Sequence, residues 1–245
     1  MPDAFERYSR QLGIPGFGRE GQERLRSARV TVVGAGGLGS PCLLYLTAAG
    51  IGHLQILDHG EVELSNLNRQ ILYGEADVGK SKAPRAAARL RDLDSALEVV
   101  FVTDPLEESD RAIAAFGPHV IVDCLDTLAA RLVLNAIARQ AGVPLVSAAV
   151  EREGGIVTVV YPDTGPCLEC LFGEKRGATS PPAVVGYTPG TLGAIEAALA
   201  IQIVLGRRPL ARRLLAFDFA NWDIHAVTTE RRADCPVCGD QNHVP

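Results

Sequence analysis

The chain has no excess of positive charge: 24 Lys and Arg against 29 Asp and Glu leave a formal net charge of −5. That argues against the electrostatic footprint of a nucleic-acid or anionic-membrane binder. The pairs Arg207-Arg208, Arg212-Arg213 and Arg231-Arg232 therefore read as solvated faces. There is also no apolar run long enough to span a bilayer; the longest, Leu192 to Leu205, is interrupted by Glu196 and Gln202. The opening residues, MPDAFERYSRQ, carry acids and no apolar core, so no secretory signal and a cytoplasmic address are expected. Internal repeats and low-complexity tracts are lacking as well. Cysteine is sparse at six, and four of the six fall in two C-x-x-C pairs, a pattern that in a cytosolic protein favours metal over disulfides. With 245 residues, 47% of them hydrophobic, a core needs no covalent staples.

Apolar periodicity organises the rest. Residues 3–27 have the spacing of a polar helical arm broken at Gly13–Gly18. Strands are predicted over 29–33, 53–58, 99–103, 119–126 and 145–150, alternating with helices that end near Gly50 or cover 82–92, 107–116 and 128–141. Such β-α alternation with hydrophobic strand cores implies a parallel sheet covered on both faces. After Gly154-Gly155 the character changes: 156–161, 214–219 and 222–228 read as strands of an antiparallel extension. Between them lie a loop rich in Gly, Pro, Ser and Thr (173–190) and a helix over 192–205. The fold class is thus α/β, a Rossmann-like doubly wound, mostly parallel sheet with an antiparallel C-terminal extension.

Gly34, Gly36 and Gly39 form G-x-G-x-x-G between a strand and a helix, and Asp58 follows at the end of the next strand. The glycines allow a tight turn, close backbone approach to a phosphate, and helix-on-strand packing, while the acid suits a ribose hydroxyl. A glycine turn needed only for packing is the plainer alternative. The motif does not choose the nucleotide; alone it points to NAD. The choice comes from HGEVELSNLNRQ and VGKSK just beyond. Asn66 and Gln70 offer amide donors, Arg69 a planar fork and Lys82 a compact charge. Each alone reads equally well as a surface group. Together, beside a nucleotide loop, they suit an enzyme that expels pyrophosphate, because negative charge grows on that leaving group.

Cys167-x-x-Cys170 and Cys235-x-x-Cys238 supply four thiolates, enough for one closed and hence structural tetrahedral zinc site. Redox pairs or free cysteines are the rival reading. Cys42 and Cys124 read as core residues.

GAGGLG, SNLNRQ and the paired C-x-x-C motifs resemble the ThiF/MoeB/HesA family, bacterial relatives of ubiquitin-activating enzymes, over essentially the whole chain from RYSRQ onward. The resemblance implies a single adenylating domain, 1–245, with an N-terminal helical arm (1–28), a nucleotide-binding core (29–150) and a carrier-binding half with crossover loop and zinc (151–245). It implies a homodimer in which the C-terminal Gly-Gly carboxylate of a small ubiquitin-like sulfur-carrier protein attacks the α-phosphate of ATP. Carried over by position, Gly37 and Asp58 hold the adenosine end, and Asn66, Arg69, Gln70 and Lys82 the phosphates. Arg10 reaches the partner subunit's triphosphate, and Asp126 takes Mg²⁺, although Asp126 as a helix N-cap is the competing role. Asp123 is expected to brace or cap the same loop. Thr127 stands where relatives often carry Asn and Gly60 where many have a second acid, which touches the adenosine contacts; Glu61 is a neighbour able to compensate. No cysteine lies in 173–190, where some relatives form a thioester; Thr179 and Ser180 occupy that region, and a hydroxyl forms no thioester. The chemistry is expected to stop at the acyl-adenylate, with a separate persulfide donor completing thiocarboxylate formation. The carboxylate nucleophile is already ionised, so no general base is required, in keeping with the lack of a motif histidine; His59 reads as a loop residue. Other readings are a family member acting on a small-molecule or tRNA-borne carboxylate, an NAD-dependent oxidoreductase, and a catalytically idle zinc-stapled module.

Overall fold

The computed structural model describes residues 5–173 and 183–239. Its frame is one eight-stranded sheet in the order β3-β2-β1-β4-β5-β6-β7-β8. Strands β1 (Arg29–Val33), β2 (His53–Leu57), β3 (Glu98–Val102), β4 (Val120–Asp123) and β5 (Leu145–Glu151) pair in parallel. β6 (Gly154–Val160), β7 (Arg213–Asp218) and β8 (Asp223–Thr228) continue antiparallel. The helices are α1 (Ser9–Leu12), α2 (Gly18–Ser27), α3 (Gly39–Ala49), α4 (Lys82–Leu93), α5 (Asp110–Phe116), α6 (Leu128–Ala141), α7 (Leu168–Phe172) and α8 (Tyr187–Val204).

Adjacent strand residues enter different cores, as the two-residue period requires. Val32, Ile56 and Val122 join α3, α4 and α8 on one face. Val33, Leu57 and Ile121 join α5, α6 and α7 on the other. Strands buried on both sides are why their sequences are mostly apolar, with the central Thr31 and Gln55 of β1 and β2 buried and bonded to each other. The strand order reverses between β1 and β4, where open sheets of this kind leave a ligand crevice at their carboxyl edge.

Beyond shifts of one or two residues elsewhere, three boundaries differ from expectation. β4 ends at Asp123, not 126: Cys124 adds one more amide bond, to Val33 O, and the chain then turns. The 107–116 helix is split into a 3₁₀ turn, Leu106–Glu108, and α5. α8 starts at Tyr187, five residues before the apolar run, because Pro189 sits in the first turn, where its missing N–H costs nothing. Thr179 and Ser180 lie outside the described residues. Among those described, no helix is long and apolar enough to cross a membrane.

Candidate adenylation site

The glycine loop leaves β1 through Gly34, whose φ of 97° only glycine adopts freely. A Cβ there would sit 2.5 Å from Cys124 O, so β4's continuation presses directly on the loop. A Cβ on Gly39 would lie 2.0 Å from Gly34 O, which fixes how close α3 begins to β1. Asp58 holds this turn from β2: Oδ2 accepts the Ala35 N–H at 2.7 Å and Oδ1 the Gly60 N–H at 2.8 Å. Each oxygen keeps a further lone pair for a ligand.

The SNLNRQ run folds back over the loop. Its 3₁₀ turn, Leu64–Asn66, is tied by the Glu63 N–H donating to Asn66 Oδ1 at 3.2 Å. Cβ positions built on the loop measure the approach: Gly36 to Gln70 Nε2, 3.6 Å, and Gly37 to Arg69 Cδ, 3.5 Å. Arg69 is steadied by bonds of 3.0 Å from Nη1 to Ser65 O and to Asn68 Oδ1. Lys82, first residue of α4, donates its N–H to Gly60 O, and its Nζ lies 3.5 Å from the position of a Gly60 Cβ. Gly60 thus leaves space beside Asp58 that Lys82 shares, whereas Glu61 is exposed and pairs with Ser81. Gln70 is buried, and its Oε1 has no partner among the described residues. An orphaned amide end beside a glycine loop fits a ligand that supplies the missing bond.

Asp126 is exposed on the β4–α6 turn, two residues beyond the carbonyl that touches Gly34. Its competing role goes to its neighbour: Thr127 is the N-cap of α6, with Oγ1 accepting the Ala130 N–H at 3.4 Å. Asp123 braces the turn, its Oδ1 accepting the Leu125 N–H at 3.2 Å. Asp123 is fully buried and committed internally, so Asp126 is the carboxylate of this pair with the freedom to meet a divalent cation.

Arg10 is not brought to this site. The N-terminal arm is anchored at the far end of α3, where Gln11 and Gln22 both donate to Ala49 O and Tyr8 donates to Asp94. The eleven-residue α3 separates that anchor from the glycine loop by about 16 Å.

Three contributors escaped sequence reasoning. Tyr73 donates to Ala35 O at 2.9 Å, and burial raises its hydroxyl pKa, so it stays a donor. Arg131 reaches into the β4–β5 region, and its spacing of three, four and seven from buried Leu134, Asn135 and Ala138 was the available signal. Glu196 is fully buried on α8 and accepts from Cys124 Sγ at 3.4 Å. Burial first, and the negative charge of Asp123 second, push its carboxyl well above the usual range, which favours the protonated form. Cys42 and Cys124 are buried, their thiols raised by desolvation, and serve as core.

The four motif cysteines converge, all Sγ atoms lying within 4.8 Å of one another. Cys167–Cys235 measures 3.7 Å, Cys170–Cys238 3.3 Å and Cys167–Cys170 4.0 Å. A tetrahedron with Zn–S near 2.3 Å needs about 3.8 Å between sulfurs, so this donor set fits zinc. α7 begins directly after Cys167, and the Leu168 N–H donates to Asn135 Oδ1, which ties the cluster to α6.

The model of the ThiF family matches residues 8–237. The SAMP-activating enzyme E1 of Haloferax volcanii is 40% identical, covering 96% of this chain and 89% of its own. The sulfur carrier protein adenylyltransferase of Thermus thermophilus is 39% identical, with 98% and 92% covered. The adenylyltransferase and sulfurtransferase MOCS3 of Mus musculus is 42% identical over 98% of this chain, which spans only 54% of that longer protein. Among solved structures, E. coli MccB with ATP superposes with a TM-score of 0.81 at 24% identity, covering 96% of this chain and 74% of MccB, a likeness of fold.

Proposed function

This chain belongs to the ThiF family, and we propose that it adenylates the C-terminal carboxylate of a small ubiquitin-like sulfur-carrier protein with ATP. The observation that carries the reading is the meeting of Arg69 with Gly37 across the glycine loop, with Lys82 beside Asp58. An NAD-dependent oxidoreductase explains neither contact, and the relatives' names point away from it.

In this reading residues 29–150 hold the nucleotide and 151–245 receive the carrier. Gly34, Gly36, Gly37, Gly39 and Asp58 seat the adenosine end, and Asn66, Arg69, Gln70 and Lys82 surround the phosphates. The carrier carboxylate attacks the α-phosphorus, the bond to the β-phosphate oxygen breaks, and pyrophosphate leaves. The cations of Arg69 and Lys82 offset the charge that develops on it, so this chain's part is positioning and electrostatics. Asp126 would hold Mg²⁺, which when bound neutralises triphosphate oxygens. Arg10 acts on the site of a partner subunit, since its own chain holds it a helix-length away. Zinc on Cys167, Cys170, Cys235 and Cys238 cross-links the fold.

A protein substrate is favoured over a small molecule by the surface of the antiparallel half. Trp222 and Ile224 are 83% and 64% exposed beside Phe219 and Tyr187, an apolar patch of the kind a protein partner covers. Within the described residues the site holds no thiol other than the buried Cys124, so sulfur reaches the adenylate from a separate persulfide donor.

ATP–pyrophosphate exchange tests the reading. Exchange that depends on a carrier ending in Gly-Gly supports it; its absence with every such carrier, using folded zinc-loaded protein, rejects it.

A further inference from the structure

Arg131 is a charge on the buried face of α6, at the carboxyl edge of the sheet. Its fork spans three pieces of chain. Nη1 lies 3.1 Å from Asp123 Oδ2 at the end of β4 and also donates to Ala148 O in β5; Nη2 donates to Leu125 O in the β4–α6 turn. Asp123 answers from the other side, with Oδ2 accepting the Ser147 hydroxyl at 2.6 Å and Oδ1 the Leu125 N–H at 3.2 Å. Both backbone groups of Leu125 are therefore fixed by one buried ion pair, and Leu125 is the residue before Asp126. The next residue, Thr127, is fixed in turn as the N-cap of α6. Asp126 is the unclamped side chain between two clamped neighbours, held at the edge where the glycine loop opens.

We propose that Arg131 is a positioning residue for adenylation: its guanidinium, with Asp123 and Ser147, aims the Asp126 carboxylate at the divalent cation of the nucleotide complex. The proposal rests on the adenylation reading. It requires the fork and not merely the charge, because acceptors on three pieces of chain reached from two nitrogens of one side chain suit a guanidinium and not an ammonium. Partners that orient a ligating carboxylate change metal affinity without touching the metal.

The test is calorimetric titration of ATP into zinc-loaded protein, once with Mg²⁺ and once with EDTA. The magnesium-dependent gain in affinity reports on Asp126. Arg131→Lys is expected to lose about tenfold of that gain while binding ATP in EDTA as the wild type does. Asp126→Ala should lose the same gain, and the double variant no more than either single one. A merely structural Arg131 would weaken binding in EDTA as well and add its loss to that of Asp126→Ala; that result overturns the proposal, as does an unchanged gain in Arg131→Lys. If Arg131→Lys does not fold, Ser147→Ala removes one bond to Asp123 and leaves the ion pair. A partial loss confined to the magnesium arm supports the proposal, and a wild-type gain overturns it. A wild type without any magnesium-dependent gain rejects the adenylation reading and this proposal with it, an outcome the wild-type arm alone identifies.

Discussion

Arg69 meets the glycine loop and Lys82 the turn at Gly60 through flexible stems, so their removal should cost chemistry and little stability. Lys82→Ala is expected to lower ATP–pyrophosphate exchange about 100-fold with unchanged zinc content and melting temperature; retained exchange would remove Lys82 from the reaction. Glu196 makes a prediction of the opposite kind. Its carboxyl is raised above its ordinary value of 4.5 by burial, so the stability its proton contributes is fully present below that pH and is lost as pH rises toward the folded value. Glu196→Gln should therefore gain on the wild type with rising pH, by about 1.4 kcal/mol per unit within that window, read from urea unfolding at several pH values. A flat difference would mean that Glu196 is ionised. That Arg69 and Gln70 gather at the glycine loop was legible because cations and amides after Asp58 have few other uses in that pattern. Glu196 was not, since within an apolar stretch it reads only as an interruption until Cys124 is seen against it.

At the level of elements, the β1–glycine loop–α3 unit followed from sequence with both strand ends correct, because turn chemistry and period change at the same residues. The end of β4 did not: Cys124 and Leu125 are apolar enough to continue a strand, and only the approach of Gly34 explains why the ladder stops. The start of α8 was hidden by Pro189 and Gly190, residues that suggest a loop. Gly193 is there for contact, since a Cβ would lie 2.2 Å from Leu38 O where α8 crosses the start of α3. The cysteine cluster joins residues 68 apart, so it closes a long segment of chain. Cys235→Ser should lower the melting temperature by about 10 °C, the scale of about 4 kcal/mol for opening such a loop. Hydrogen exchange should rise first in residues 230–239. Metal analysis should fall from one zinc per chain to none; an unchanged melting curve would argue against a structural metal.

For the whole molecule, the placement of Arg10 a helix-length from its own glycine loop supports the proposal that activity is a property of two subunits. Mixing Arg10→Ala with Asp126→Ala chains should restore about a quarter of wild-type exchange, because half the dimers are mixed and each repairs one site. No recovery after subunit exchange would place Arg10 outside the reaction. The proposed division of labour along the chain does not correspond to a division of the fold. β5 pairs parallel to β4 on one side and antiparallel to β6 on the other, so residues 29–150 and 151–239 share a single sheet. Gene fission at the β5–β6 turn would leave two fragments, each with a raw, apolar strand edge prone to aggregate. Neither fragment would keep an intact sheet, because the seam between the two proposed halves is a hydrogen-bonded strand pair and not a linker.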